Sequence, residues 1–83
     1  MPLNKDVIFD INFRYDGKAY NGWVKPAPKL DDNGHPVSYH VVLNDVFFGN
    51  LSRSNDQWRA DDQRPAGLVE ATGLQIDKYY NIT

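Results

Sequence analysis

The sequence predicts an α+β fold, an antiparallel β-meander of four to five strands with one C-terminal α-helix packed on one face. Three observations predict it. Apolar residues occupy alternate positions from 7 to 15, as in a half-buried strand, and the short apolar runs 39–43 and 46–51 are typical of further strands. Turn-forming pairs, Asp16-Gly17 and Asn44-Asp45, follow the segments 7–15 and 39–43. After Pro65 the apolar spacing changes to three and four residues, which is typical of an amphipathic helix.

The first hairpin is predicted by the residues on either side of Asp16-Gly17. From Val7 to Tyr15 the odd-numbered residues are apolar. The Asp-Gly pair is favoured in a two-residue type I′ turn because both central positions need a positive φ. With this turn, facing residues have numbers that sum to 33. Proline cannot donate to a β-ladder, so the segment 25–28, which contains two prolines, is expected to end the second strand.

Residues 39–43 and 46–51 are predicted as the third and fourth strands, joined by a tight reversal at Asn44-Asp45. In that register facing numbers sum to 89. Phe47 and Phe48 then point to opposite faces of the sheet. The expected inner-face residues are Phe9, Ile11, Phe13, Tyr20, Val24, Tyr39, Val41, Leu43, Val46 and Phe48. The expected apolar residues of the outer face are Ile8, Trp23, Val42, Phe47 and Leu51.

The remaining elements are a short edge strand and a helix. Residues 57–60 are predicted as a fifth strand, with Trp58 closing the edge of the core. Pro65 suits the first turn of a helix, where its missing N–H is not needed, so we predict a helix over 65–80. Gly73 costs about 1 kcal/mol relative to alanine in a helix interior. Gly73 lies four residues after Val69 and three before Ile76, on the apolar side of the helix. A glycine there indicates that the helix backbone approaches the sheet closely.

Length and composition exclude several functional classes. The 83 residues make a single domain, 1–83, whose ends at 1–5 and 81–83 are expected to fray. Acidic and basic residues nearly balance at a net charge of −2, so nucleic acid is not an expected partner. There is no cysteine and no apolar run long enough for a signal peptide or a membrane span. We therefore expect a cytoplasmic protein without membrane contact.

No catalytic, cofactor-binding or metal-binding motif stands out. Ser38 and His40 lie on one side of a strand, but no nucleophile elbow or orienting acid accompanies them. The polar loop 31–35 has ligand-type side chains without the calcium-loop spacing, and turn formation explains its composition. Trp23 and Trp58 could stack on single-stranded nucleic acid, but the charge around Trp58 is balanced. We therefore predict a protein that is not an enzyme and has no cofactor.

The outer face gives the main functional expectation. One helix covers about half of one face of such a sheet, and no second helix is available for the other face. Three outcomes remain open for the outer apolar residues: a curled sheet that shelters them, cover by another chain, or tolerated exposure. The predicted role is protein–protein contact, as a homodimer or with another protein, through Trp23, Val42, Phe47 and Leu51. The alternative is a small-molecule or weakly catalytic pocket on a curled sheet near Gly22 and Gly49, lined by Ser38 and His40.

Overall fold

The computed structural model describes residues 8–54 and 57–80. Val7 and the chain ends expected to fray lie outside these residues. Within them the chain forms β1 (Phe9–Tyr15), β2 (Lys18–Pro26), β3 (Tyr39–Leu43), β4 (Val46–Ser54), β5 (Gln57–Ala60) and α1 (Ala66–Tyr80). The strands form one antiparallel sheet in sequence order. The predicted α+β meander with a C-terminal helix is confirmed.

Both predicted tight turns are present. Asp16 and Gly17 have φ values of 52° and 78°, which fits a type I′ turn, and Phe13 faces Tyr20 in the predicted register. Asn44 and Asp45 have φ values of 51° and 66°, so the second hairpin also reverses at two residues with positive φ. The Asn44 side chain accepts a hydrogen bond from the Asn21 N–H at 2.9 Å and thereby joins the turn to β2.

The second hairpin departs from the predicted register at one residue. Val42 faces Phe47, as predicted, but Val41 faces Gly49, so Phe48 is an extra residue in β4. A bulge of this kind moves every later side chain of the strand to the other face. Leu51 accordingly faces inward and is fully buried. The prediction that Leu51 lies on the outer face is therefore wrong.

Two groups stabilise this bulge. Gly49 has a φ of 152°, a conformation that L side chains rarely adopt. Arg64, sixteen residues further along the chain, donates from Nε to the Phe48 carbonyl at 2.6 Å, and its guanidinium lies 5.9 Å from the centroid of the Phe48 ring. The extra residue of a bulge lies outside the regular ladder, and here Arg64 satisfies its carbonyl.

The helix closes the inner face by packing against both edge strands, β1 and β5. The sheet therefore curls around α1. A Cβ at Gly73 would overlap the Trp58 ring, which confirms the predicted close approach of the helix backbone, and Trp58 closes the core as predicted. Val46 was expected inside but is 66 % exposed, because α1 packs over the edge strands rather than over the Asn44 turn. The buried apolar residues are Phe9, Ile11, Val24, Tyr39, Val41, Leu43, Phe48, Leu51, Trp58, Leu68, Val69 and Ile76.

A buried carboxylate joins the helix to the sheet. Asp77 is 3 % exposed and accepts hydrogen bonds from Arg53 Nη1 at 2.7 Å and from Trp58 Nε1 at 3.3 Å. Both donors come from β4 and β5, and the acceptor comes from the last turns of α1. A buried charge is costly without partners, so the helix is most stable in the position where Asp77 reaches both donors.

Candidate contact surface on the outer face of the sheet

Four side chains form a continuous row across the outer face of β2, β3 and β4. Trp23 faces Val42, and Val42 faces Phe47, as strand alternation predicts. His40, two residues before Val42, fills the diagonal position between the two aromatic rings. Its ring centroid lies 5.6 Å from that of Trp23 and 4.7 Å from that of Phe47. We call these residues, Trp23, His40, Val42 and Phe47, the outer-face row.

The row exposes a large aromatic side chain. Phe47 is 44 % exposed, whereas Phe48 beside it is 6 % exposed. The two rings therefore point to opposite faces, as predicted, because the bulge begins only after Phe47. Ile8 lies on the same face by alternation along β1 and is 53 % exposed. Single exposed apolar residues are common on protein surfaces, but a contiguous aromatic row is typical of a contact site.

Curling of the sheet does not cover the outer-face row. The curl brings β1 and β5 to the helix on the inner face, and Phe47 stays open to solvent on the other side. Of the four residues predicted for a contact surface, the fold brings Trp23, Val42 and Phe47 together. It places Leu51 in the core. His40 joins the row instead, and its alternation with Val42 along β3 was the signal for this placement.

A shallow groove adjoins one end of the row. Its volume is about 370 Å³, and it is open to solvent. Among the described residues that line it, Lys25 is the one charged side chain, and none is a carboxylate that could orient His40. The lining residues are Trp23, Lys25, Pro26, Ala27, Pro28, Ser38, His40 and Asn50. Ser38 and His40 therefore share a groove, but they lack the third group of a catalytic triad.

The loop 31–35 is organised by its own hydrogen bonds. Asp31 Oδ1 accepts from the backbone N–H groups of Asn33 at 2.9 Å and His35 at 3.0 Å. These bonds, with the His35 bond contributing most, hold the pKa of the Asp31 carboxyl below its usual value. Within residues 8–54 and 57–80, no group of three histidine or acidic side chains is placed to hold a metal ion.

Comparison with protein-family models, curated proteins and solved structures finds no match to this chain. In the described part of the chain, no helix combines the length and apolar character needed to cross a membrane.

Proposed function

We propose that the protein acts through protein–protein contact and that the outer-face row is its contact surface. The observation that carries this proposal is the Phe47 ring, which is exposed on the outer face and lies in tilted contact with the ring of His40. The His40 ring in turn stacks on Trp23. Aromatic residues with rings held by their neighbours lose little conformational freedom on binding and supply large contact areas.

The partner that we propose is a second copy of the chain. Sheet faces pack about 10 Å apart in β-sandwiches, and a two-fold axis through the row would stack one outer face on the other. Asp10 and Lys25 flank Trp23 on this face, so a two-fold arrangement can pair opposite charges at its rim. The aromatic row of each copy would then cover that of the other.

The test is sedimentation velocity of the wild type and of Phe47→Asp. We expect a concentration-dependent dimer for the wild type. Because the variant places a carboxylate in the apolar centre of the contact, and does so twice in a two-fold dimer, we expect its dissociation constant to rise by at least about tenfold. A wild type that stays monomeric up to the highest soluble concentration contradicts the proposal.

Val46→Asp is the matched control. It makes the same substitution at the preceding residue, on the other side of the strand, where Val46 is already largely exposed. We expect this variant to dimerise like the wild type. Equal weakening by both substitutions would show that added charge, rather than loss of the Phe47 ring, is responsible. Urea titration of both variants checks that each retains the fold.

A second candidate function, binding of a small planar anion, is favoured by the groove beside the row. Lys25 offers a positive charge there, and the stacked rings of Trp23 and His40 offer a flat apolar surface. The probe is benzoate, followed by the amide resonances of the groove residues. We expect saturable shifts that Lys25→Met abolishes, with cyclohexanol as the uncharged control. Linear shifts, or equal shifts with the control, exclude this function.

A further inference from the structure

His40 places an imidazole between the two aromatic rings of the outer-face row. Its ring centroid is 5.6 Å from that of Trp23 and 4.7 Å from that of Phe47. The side chain is half-buried and lines the open groove beside the row, so water reaches the ring. Histidine is the side chain whose charge ordinarily changes between pH 5 and 8. The outer-face row therefore contains a group that can gain a positive charge close to neutral pH.

The charges that flank His40 on the two neighbouring strands have opposite signs. Lys25 on β2 lies directly opposite His40, and Asn50 lies opposite it on β4. The Asn50 side-chain amide donates to the Asp61 carboxylate at 2.8 Å, which places that negative charge beyond Asn50. The lysine is the nearer neighbour in the ladder, and like charges that face each other directly across a ladder are unfavourable.

The rest of the outer face has no excess of negative charge to receive a protonated His40. On the strands beside β3, Arg53 binds Asp77 on the inner face, and Lys18 lies over the Tyr20 ring at the far end of β2. Among the described strand residues and Asp61, alternation and the Asn50 bond place five charged side chains on the outer face: Asp10, Arg14, Lys25, Arg59 and Asp61. Three of them are basic and two are acidic, so a proton on His40 adds to a positive excess.

We propose that protonation of His40 separates the dimer formed through the outer-face row, which makes the contact strong at neutral pH and weak in mildly acid solution. This regulation rests on the dimer proposed above. In the single chain, water in the open groove solvates a charged imidazole, whereas a second copy stacked on the row removes that water. A charge buried without a partner is costly, and a two-fold dimer carries the same added charge on both copies.

The direction of the pH effect follows from proton binding. Because the covered row disfavours the charged imidazole, the dimer binds fewer protons than two separate chains. A fall in pH therefore favours the separate chains. Each dimer contains two His40 rings, so its dissociation constant can rise by at most about a hundredfold for each unit fall in pH.

The test is sedimentation velocity in steps from about pH 7.5 to about pH 5.5, at protein concentrations that span the dissociation constant. We expect the dissociation constant of the wild type to rise by at least about tenfold over this range. Circular dichroism at each pH checks that the fold is intact.

Three variants assign the effect. His40→Gln should change its dissociation constant by less than about twofold over the same range, whatever its value at neutral pH. His40→Phe keeps a ring beside Trp23 and supplies the same ratio if the glutamine variant is monomeric. His35→Gln is the matched control, because the chain has two histidines and His35 lies outside the strands that carry the row. That variant should keep the full pH dependence of the wild type.

The outcomes separate this regulation from the contact on which it rests. A wild-type dimer that is equally strong at both ends of the pH range, or stronger in acid, overturns the regulation and leaves the contact surface standing. Loss of the pH dependence in His35→Gln also overturns it, because the effect would then belong to the loop 31–35. A wild type that is monomeric at every pH overturns the proposed contact itself, and the regulation with it.

Discussion

Asp77→Ala is expected to lower the free energy of unfolding by about 2 to 4 kcal/mol. The substitution takes away the buried acceptor of both the Trp58 indole N–H and the Arg53 guanidinium. Removing one partner of a fully buried ion pair costs about 3 to 5 kcal/mol, and the partial exposure of the Arg53 side chain moves the expected value below that range. Urea unfolding at neutral pH measures the change.

Two further variants separate the contributions to this network. Asp77→Asn keeps an oxygen that can accept from Trp58 but removes the charge that Arg53 binds, so its cost should be smaller than that of Asp77→Ala. Trp58→Phe tests the indole N–H while keeping an aromatic ring in the core. If Asp77→Ala unfolds within about 0.5 kcal/mol of the wild type, the carboxylate does not hold α1 on the sheet.

Gly73→Ala is expected to destabilise the protein by about 2 kcal/mol, although alanine is the better helix former. The gain in helix propensity is about 1 kcal/mol, whereas the new Cβ would overlap three ring atoms of the buried Trp58 indole, and so severe an overlap costs about 3 kcal/mol, the upper end of the usual range for overpacking. The indole is held by its bond to Asp77, so it cannot easily move aside. Gly73→Val should cost more, because its side chain is larger and branched at Cβ.

Leu74→Ala is the control for Gly73→Ala, since Leu74 is exposed and next to it on the helix. We expect that variant to stay within about 0.5 kcal/mol of the wild type. In a double-mutant cycle, Trp58→Phe should reduce the cost of Gly73→Ala, because the smaller ring leaves room for the Cβ. A stabilised Gly73→Ala protein would contradict the packing described for the helix.

Local patterns predicted most of the fold because most of its structure is local. Asp16-Gly17 and Asn44-Asp45 each determine a hairpin register through their own φ preferences, and Phe47 lies close enough to its turn for that register to hold. Leu51 lies beyond the bulge at Phe48, so the register that the turn determines does not hold there. One of the groups that stabilise the bulge is Arg64, far along the chain. A glycine within a strand, here Gly49, was the available signal that the ladder could be interrupted.

The curl of the sheet also could not be derived from the strand pattern. The apolar stripe of α1 predicted packing on one face, but it did not indicate that the helix would lie between the two edge strands. That position depends on contacts between distant parts of the chain, such as Trp58 with Gly73 and the bond from Arg53 to Asp77. The same uncertainty left the fate of the outer face open, since a curl in the other direction would have buried Phe47.

A dilution series followed by ¹⁵N NMR tests the proposed contact surface most directly. Over about a hundredfold range of protein concentration, we expect the amide resonances of Trp23, His40, Val42 and Phe47 to shift together along one binding curve. Those of the helix α1 should stay fixed. If the fold is intact and the resonances of the outer-face row do not change with concentration, the proposed contact through this row is contradicted.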